Sequence, residues 1–186
     1  MVSLPITRWL YLAVLVAVVA ERLFELRLTR RNERAVRGRG AVEAGAEHYL
    51  ILTVLHGAFL VCCVLEVLLL QRPFVPAIAA ISGAALVGTM ALRYWAVSSL
   101  GDRWNTRVLV EPGVPAVTGG PYRFLGHPNY LAVVVEIAAL PMLHTAWLTA
   151  ILFTVLNAWM LRLRIAVEER ALLEHGSLSP VEGASP

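Results

Sequence analysis

Two short polar motifs in the C-terminal half of the chain have the residue types and the spacing of a binding site. The first is His127-Pro128-Asn129-Tyr130, and the second is Arg164 followed by Glu168 and Glu169. A proline in the first turn of a helix loses no hydrogen bond, and the free N–H groups of that turn are available to a carboxylate. Arg164 and Glu168 are four residues apart and lie on one helical face. Together the motifs present a cation-recognising and an anion-recognising group, which suits a zwitterionic ligand.

Two apolar runs, residues 131–143 and 146–161, separate these motifs and are broken by Pro141 and His144. The runs are long enough to enter a bilayer and return, so this hairpin would bring both motifs to one membrane face. Polar side chains at the ends of lipid-buried helices are costly and usually mark a place where something polar binds. The simpler alternative is a salt bridge between Arg164 and Glu168 that only ends the helix.

The composition is that of a membrane protein. Of the 186 residues, 58% are hydrophobic and 16% are charged, whereas soluble domains are about 25% charged. We therefore predict an all-α integral membrane bundle of about five transmembrane helices in a single domain, residues 1–175. Its catalytic half would be about residues 88–175, and residues 176–186 would form a disordered tail. No basic run is interleaved with aromatic residues, so nucleic acid is not an expected partner.

The first three helices are expected at about residues 6–27, 48–70 and 74–100, and the hairpin supplies the other two. Small residues between positions 79 and 88 predict that the third helix packs deep in the bundle. Residues 105–121 are rich in Pro, Gly and β-branched residues, so this segment is expected to be extended rather than helical. A bound cofactor could partner some of its backbone groups.

Charged residues inside the predicted helices have two interpretations each. Glu21, Arg22 and Glu25 lie within the last two turns of the first helix, where they form either an inward-turned ion-pair ladder or a wall of the polar pocket. Arg93, inside the third helix, needs an acidic or phosphate-like partner. It belongs either to a structural ion pair or to the site.

The distribution of arginines predicts the orientation in the membrane. The segments 27–39, 101–127 and 162–186 contain six, three and three arginines, whereas the segments at the other face contain only Arg8 and Arg72. The positive-inside rule places the N-terminus outside and both polar motifs, with their pocket, at the cytoplasmic face. The first of these segments is expected to be a basic loop.

The motifs and their separation resemble the isoprenylcysteine carboxyl methyltransferase family of integral membrane enzymes. The resemblance is carried by Gly120-Pro121-Tyr122-Arg123, by His127-Pro128-Asn129-Tyr130, and by Arg164-x-x-x-Glu168-Glu169 after the hairpin. It covers about residues 88–174 and is strongest toward small bacterial members, some of which are associated with methylation of polyketide-derived phenolic or pyrone lipids.

This resemblance implies S-adenosylmethionine as the cofactor and a lipophilic acceptor that arrives sideways from the bilayer, in a bacterial inner membrane. The implied cofactor-binding residues are His127, Pro128, Tyr130, Glu168 and Glu169. The implied catalytic residues are Arg164, which would orient the acceptor, and Glu168. No metal is implied.

One position departs from the family pattern. The family usually has Arg immediately before His-Pro, where this chain has Gly126. Methylation of a carboxylate would then require Arg123 or Arg93 to orient the acceptor. A phenol or enol acceptor is the alternative, and its proton would pass to Glu168 or His127.

Two other functions fit parts of the sequence. Membrane reductases of the sterol-reductase type use NADPH and have a similar His-Pro-Asn-Tyr segment, and a small membrane scaffold or transporter subunit needs no site at all. A methyltransferase fits better because Glu168 and Glu169 end the last helix without a basic cluster for a 2′-phosphate. Transporters usually place their polar residues near the bilayer midplane, whereas the two motifs predicted here lie at one face. The acceptor and the oligomeric state are not determined by the sequence.

Overall fold

The computed structural model describes residues 5–175, so the tail predicted at 176–186 lies outside the described residues. Its five helices are α1 (Ile6–Gly38), α2 (Ala46–Leu69), α3 (Pro76–Leu100), α4 (Pro128–Met142) and α5 (Trp147–His175). Two three-residue strands, β1 (Val42–Ala44) and β2 (Val108–Val110), and two short 3-10 helices, Gly101–Arg103 and Gly120–Arg123, complete it. The predicted all-α membrane bundle is confirmed, with one small antiparallel sheet added at its edge.

Three of the helices, α2, α3 and α5, are long and apolar enough to cross a membrane. In α1 the apolar stretch is followed by charged residues from Glu21 onward. The helix α4 has 15 residues, which gives a length of about 22 Å, below the hydrocarbon thickness of about 30 Å. The hairpin therefore pairs a short helix with the 29-residue α5.

The two ends of the bundle have different roles. One end carries Gly38, Ala46, Leu100, Pro128 and His175, and it is called the site end below. The other, called the far end, carries the α2–α3 and α4–α5 connections. The sheet lies at the site end, because both strands belong to connections between helices there.

The prediction of a basic loop after residue 27 is wrong, because α1 continues to Gly38. Thr29, Asn32 and Val36 are buried along one side of this extension. The Nδ2 atom of Asn32 donates a hydrogen bond to the carbonyl oxygen of Trp104 at 2.8 Å. Arginine and glutamate are good helix formers. Contact with the segment after α3 therefore stabilises the polar stretch after residue 27 as a helix.

The helix α3 packs closely against α4 but does not lie deep in the bundle as its small residues predicted. An added Cβ at Gly83 would contact Leu143 at 3.9 Å, which shows close approach on one side. On the other side Ile81 and Val87 are more than 70% exposed. The small residues therefore allow α3 to pack closely against α4, and the opposite face of α3 is exposed to lipid.

A buried ion network joins α1, α3 and α4. Glu136 accepts hydrogen bonds from Arg22 at 2.6 Å and from Arg93 at 2.5 Å. Glu25 pairs with Arg22 and lies 3.5 Å from Arg93. Arg93 is only 3% exposed, so its partner is this network, and the Glu21 to Glu25 segment turns inward as an ion-pair ladder.

At the far end, the Glu66 carboxylate of α2 caps the start of α5. It accepts hydrogen bonds from the backbone N–H groups of Leu148 and Thr149 at 3.2 and 2.6 Å, and from the Thr149 hydroxyl at 2.6 Å. Arg72 donates a further hydrogen bond at 2.8 Å. A carboxylate at a helix N-terminus satisfies N–H groups that have no partner within the helix.

We expect Glu66→Ala to lower the free energy of unfolding by about 1–3 kcal/mol, because it leaves buried donors without an acceptor. Thermal unfolding in detergent measures the loss. Glu47→Ala, at an exposed position in the first turn of the same helix, is the matched control and should lower the unfolding temperature much less, because it removes only a solvent-exposed charge near the helix N-terminus. Equal unfolding temperatures for the two variants would contradict the capping role.

Candidate active site

The hairpin brings the two polar motifs together at the site end. His127 is the N-cap residue of α4, and Pro128 occupies its first turn. In the same turn the Tyr130 hydroxyl donates a short hydrogen bond to Oε2 of Glu168 and accepts one from Nε of Arg164 at 2.9 Å. The tyrosine therefore links a cation and an anion of α5 to the start of α4.

The predicted alternative of a direct Arg164 to Glu168 salt bridge is not what the described residues form. Nη2 of Arg164 instead donates to the carbonyl oxygen of Thr106 at 2.5 Å. The guanidinium carbon lies 5.7 Å from the centre of the Tyr130 ring. Arg164 is thus held between α4 and the segment that follows α3.

His127 and Glu169 form the outer edge of the same cluster. Nε2 of His127 lies 3.6 Å from Oε1 of Glu169, whose side chain is 62% exposed. The imidazole stacks on the Tyr130 ring at a centroid distance of 5.2 Å and an interplanar angle of 15°. All five predicted cofactor-binding residues and Arg164 therefore lie in one group that opens to solvent at Glu169.

Two further residues reach this cluster, and sequence reasoning did not assign them to it individually. Thr106 supplies the carbonyl oxygen that holds Arg164. Burial, with a contribution from the negative charge of Glu168, raises the pKa of Tyr122 to about 12. Its phenol remains protonated at neutral pH and is available as a hydrogen-bond donor. The Gly-Pro-Tyr-Arg motif was the available signal for Tyr122.

Gly120 explains how the segment before α4 approaches the bundle. Its φ is +59°, and an added Cβ would lie 2.0 Å from Oγ of Ser99. Only glycine combines this backbone conformation with so close a contact to α3. The approach places Tyr122 beside the start of α4.

The small sheet connects the N-terminal half of the chain to the site. Val42 pairs with Val110 and Ala44 with Val108 in antiparallel register. Val108 and Val110 also pack on Ala171 of α5. The strand β2 begins just after Thr106, whose carbonyl oxygen accepts the hydrogen bond from Arg164. Its pairing with β1 therefore anchors this carbonyl group to the connection between α1 and α2.

Charged pairs hold this sheet to the end of α1. Glu43 of β1 accepts a hydrogen bond from Nη1 of Arg107 at 2.5 Å and a short one from Arg37. Although partial burial acts to raise it, these hydrogen bonds hold the pKa of Glu43 below its ordinary value of 4.5. Above that pH the carboxylate is ionised and both pairs are intact.

Arg93 and Arg123 were the proposed substitutes for an arginine at position 126. The structure places both of them in other surroundings. Arg93 is buried in the ion network. Arg123 is exposed, and its guanidinium carbon lies 5.8 Å from the centre of the Phe124 ring. Nothing lies within 4 Å of a Cβ built at Gly126, so this position has room for a larger side chain.

The matches to known proteins point the same way as the geometry. The sequence profile of the isoprenylcysteine carboxyl methyltransferase (ICMT) family matches residues 80–174, just over half of the chain. The uncharacterized protein YpbQ of Bacillus subtilis (strain 168) is 39% identical over 90% of this chain and 97% of its own length. An uncharacterized protein of Haemophilus influenzae is 24% identical over 83% of this chain and 90% of its own length. No solved structure matches.

An apolar helical bundle with a polar cluster at one end defines the class, a helical membrane protein. More particularly, the chain belongs to the ICMT family of membrane methyltransferases. The predicted family membership is confirmed.

We expect acidification to loosen the sheet beside the site. A carboxyl group with a lowered folded-state pKa stabilises the fold above its unfolded-state pKa, and that contribution is lost as the pH falls through the folded-state value. Hydrogen exchange of β1 and β2, corrected for the intrinsic pH dependence, should therefore accelerate below about pH 4.5.

In Glu43→Gln the same amides should exchange faster at neutral pH and show little further change with acid. Glu47→Gln should behave like the unmodified protein. If Glu43→Gln retained the full acid response, another carboxyl group would be responsible.

Proposed function

We propose that the protein is an S-adenosylmethionine-dependent methyltransferase that methylates an oxygen of a lipophilic acceptor held in the membrane. The observation that carries this proposal is the single hydrogen-bonded cluster of Tyr130, Arg164 and Glu168, with His127 and Glu169 at its edge. These residues are contributed by both motifs on which the family resemblance is based.

The unpartnered polar groups of the cluster fit the chemistry of S-adenosylmethionine. Oε1 of Glu168 accepts no hydrogen bond from the described residues, and the carboxylate of Glu169 is exposed. Oδ1 of Asn129 is buried without a described partner. These are acceptors for the ammonium and hydroxyl groups of the cofactor. At the start of α4, Pro128 has no N–H and those of Tyr130 and Leu131 bond to the carbonyl oxygen of His127, which leaves the N–H of Asn129 for its carboxylate.

When bound, the cofactor would supply an activated methyl group, which the acceptor oxygen attacks with an electron pair as the carbon–sulfur bond breaks and its electrons remain on sulfur. The protein then acts mainly by alignment and exclusion of water. Arg164 would orient the acceptor oxygen, because its guanidinium is fixed by Tyr130 and Thr106. Glu168 would take the proton of a phenol or enol acceptor, whereas a carboxylate needs no base.

We place the site at the cytoplasmic face. The extension of α1 carries several arginines to the site end, including the exposed Arg30, Arg31 and Arg34. Their position in a helix rather than a loop does not change the side of the membrane that they favour. A cytoplasmic site would have direct access to a soluble methyl donor, and the acceptor would enter from the bilayer.

We expect Glu168→Gln to reduce turnover at least about 100-fold, because it removes a charged acceptor for the cofactor and the negative partner of Tyr130, and also the base where the acceptor is a phenol or enol. The assay incubates bacterial lipid extracts with isotopically labelled S-adenosylmethionine and detects labelled lipids by mass spectrometry. Glu174→Gln, an exposed position on the same helix, is the matched control. Unchanged turnover in a folded Glu168→Gln protein would refute the assigned role.

A further inference from the structure

A small cavity lies beside Arg164, and more than half of its lining residues come from the N-terminal half of the chain. Its lining includes Glu43 of β1, His48 and Tyr49 of α2, Arg107 and Arg164. Its volume is about 10 Å³, which is room for one water-sized group. Arg164 therefore belongs both to the cluster around Tyr130 and to this cavity.

Three nitrogen atoms of the lining residues are without hydrogen-bond partners among residues 5–175. They are Nη1 of Arg164, Nη2 of Arg107 and Nδ1 of His48. Nδ1 of His48 is buried, and its nearest carboxylate oxygen, on Glu47, is 3.4 Å away without hydrogen-bond geometry. Two guanidinium groups and one imidazole with unused nitrogens outnumber the single carboxylate of Glu43 in this lining, which is the composition of an anion site.

The position of His48 is set by the tight start of α2. Gly45 has a φ of +62°, and an added Cβ there would lie 2.8 Å from Cγ1 of Val167 and 3.4 Å from Nδ1 of His48. The close approach of α2 to α5 therefore turns this nitrogen toward Gly45, which itself lines the cavity. The arrangement is fixed by the backbone rather than by a flexible side chain.

Arg107 is also held in place. Its guanidinium carbon lies 4.1 Å from the centre of the Tyr49 ring, and Glu43 binds its Nη1 atom. The Tyr49 hydroxyl in turn lies 3.5 Å from Oγ1 of Thr106. These contacts occupy one side of the guanidinium and leave Nη2 for a ligand.

We propose that this cavity is the anion subsite for the acceptor, and that it holds an acidic oxygen of a carboxylate, enolate or phenolate between Arg107, His48 and Arg164. The inference rests on the proposed function, because Arg164 connects the subsite to the cluster around Tyr130. In a carboxylate, one oxygen would occupy the cavity, and the second oxygen would remain outside it and attack the methyl donor. Arg107 would then supply the positive charge that Gly126 lacks.

The experiment compares dodecanoate with methyl dodecanoate, which have the same chain but differ in charge. Binding to the full-length protein in lipid nanodiscs is measured after subtraction of empty nanodiscs, and S-adenosylmethionine affinity is measured separately. We expect the unmodified protein to prefer the acid at least about tenfold, as a charge-assisted hydrogen bond allows. Arg107→Gln should abolish most of this preference and change the cofactor affinity less than about twofold.

His48→Phe provides a second variant, in case Arg107→Gln disturbs the sheet, and should also lose the preference. Arg34→Gln removes an exposed charge at the same end and should behave like the unmodified protein. A preference that survives in both subsite variants, or that falls equally in Arg34→Gln, would overturn the subsite. Failure of the unmodified protein to bind S-adenosylmethionine, with the acid preference intact, would instead refute the proposed function alone.

Discussion

The hydroxyl group of Tyr130 is the interaction on which the site depends. A tyrosine at the start of a short helix meets a cation and an anion of the next helix, and each of these would be costly near lipid without a partner. The resulting contacts fix the register of α4 and α5 at the site end. They also leave Oε1 of Glu168 without a partner in residues 5–175, so the same arrangement that stabilises the hairpin provides a polar group for a ligand.

The sequence predicted the C-terminal half well because its signals are local. Apolar length, a proline in the first turn and an i, i+4 charge pair were enough to place His127, Tyr130 and Glu168 in one group. The basic stretch after residue 27 was mispredicted for the opposite reason. Its helix is stabilised by contacts such as that between Asn32 and Trp104, which are 72 residues apart. A local sequence pattern does not predict a partner so distant in the chain.

The contribution of the N-terminal half was likewise invisible in the sequence. Three-residue strands are too short to show an alternating pattern, and the pairing of Val42 with Val110 brings together distant parts of the chain. Through this sheet, Arg107 and the start of α2 reach Arg164. The family match begins at residue 80, so recognition of the acceptor by His48 would come from the part of the chain that the match leaves out.

The central claim is that the cluster at the start of α4 holds the methyl donor. Ultraviolet cross-linking of methyl-labelled S-adenosylmethionine to the membrane-embedded protein, followed by tryptic peptide mapping, tests it most directly. The account predicts label in peptides 108–123 or 124–162, which carry Tyr122 and Tyr130, and its loss with excess S-adenosylhomocysteine but not with NADPH. Label confined to residues 1–27, or displaced by NADPH alone, would contradict it.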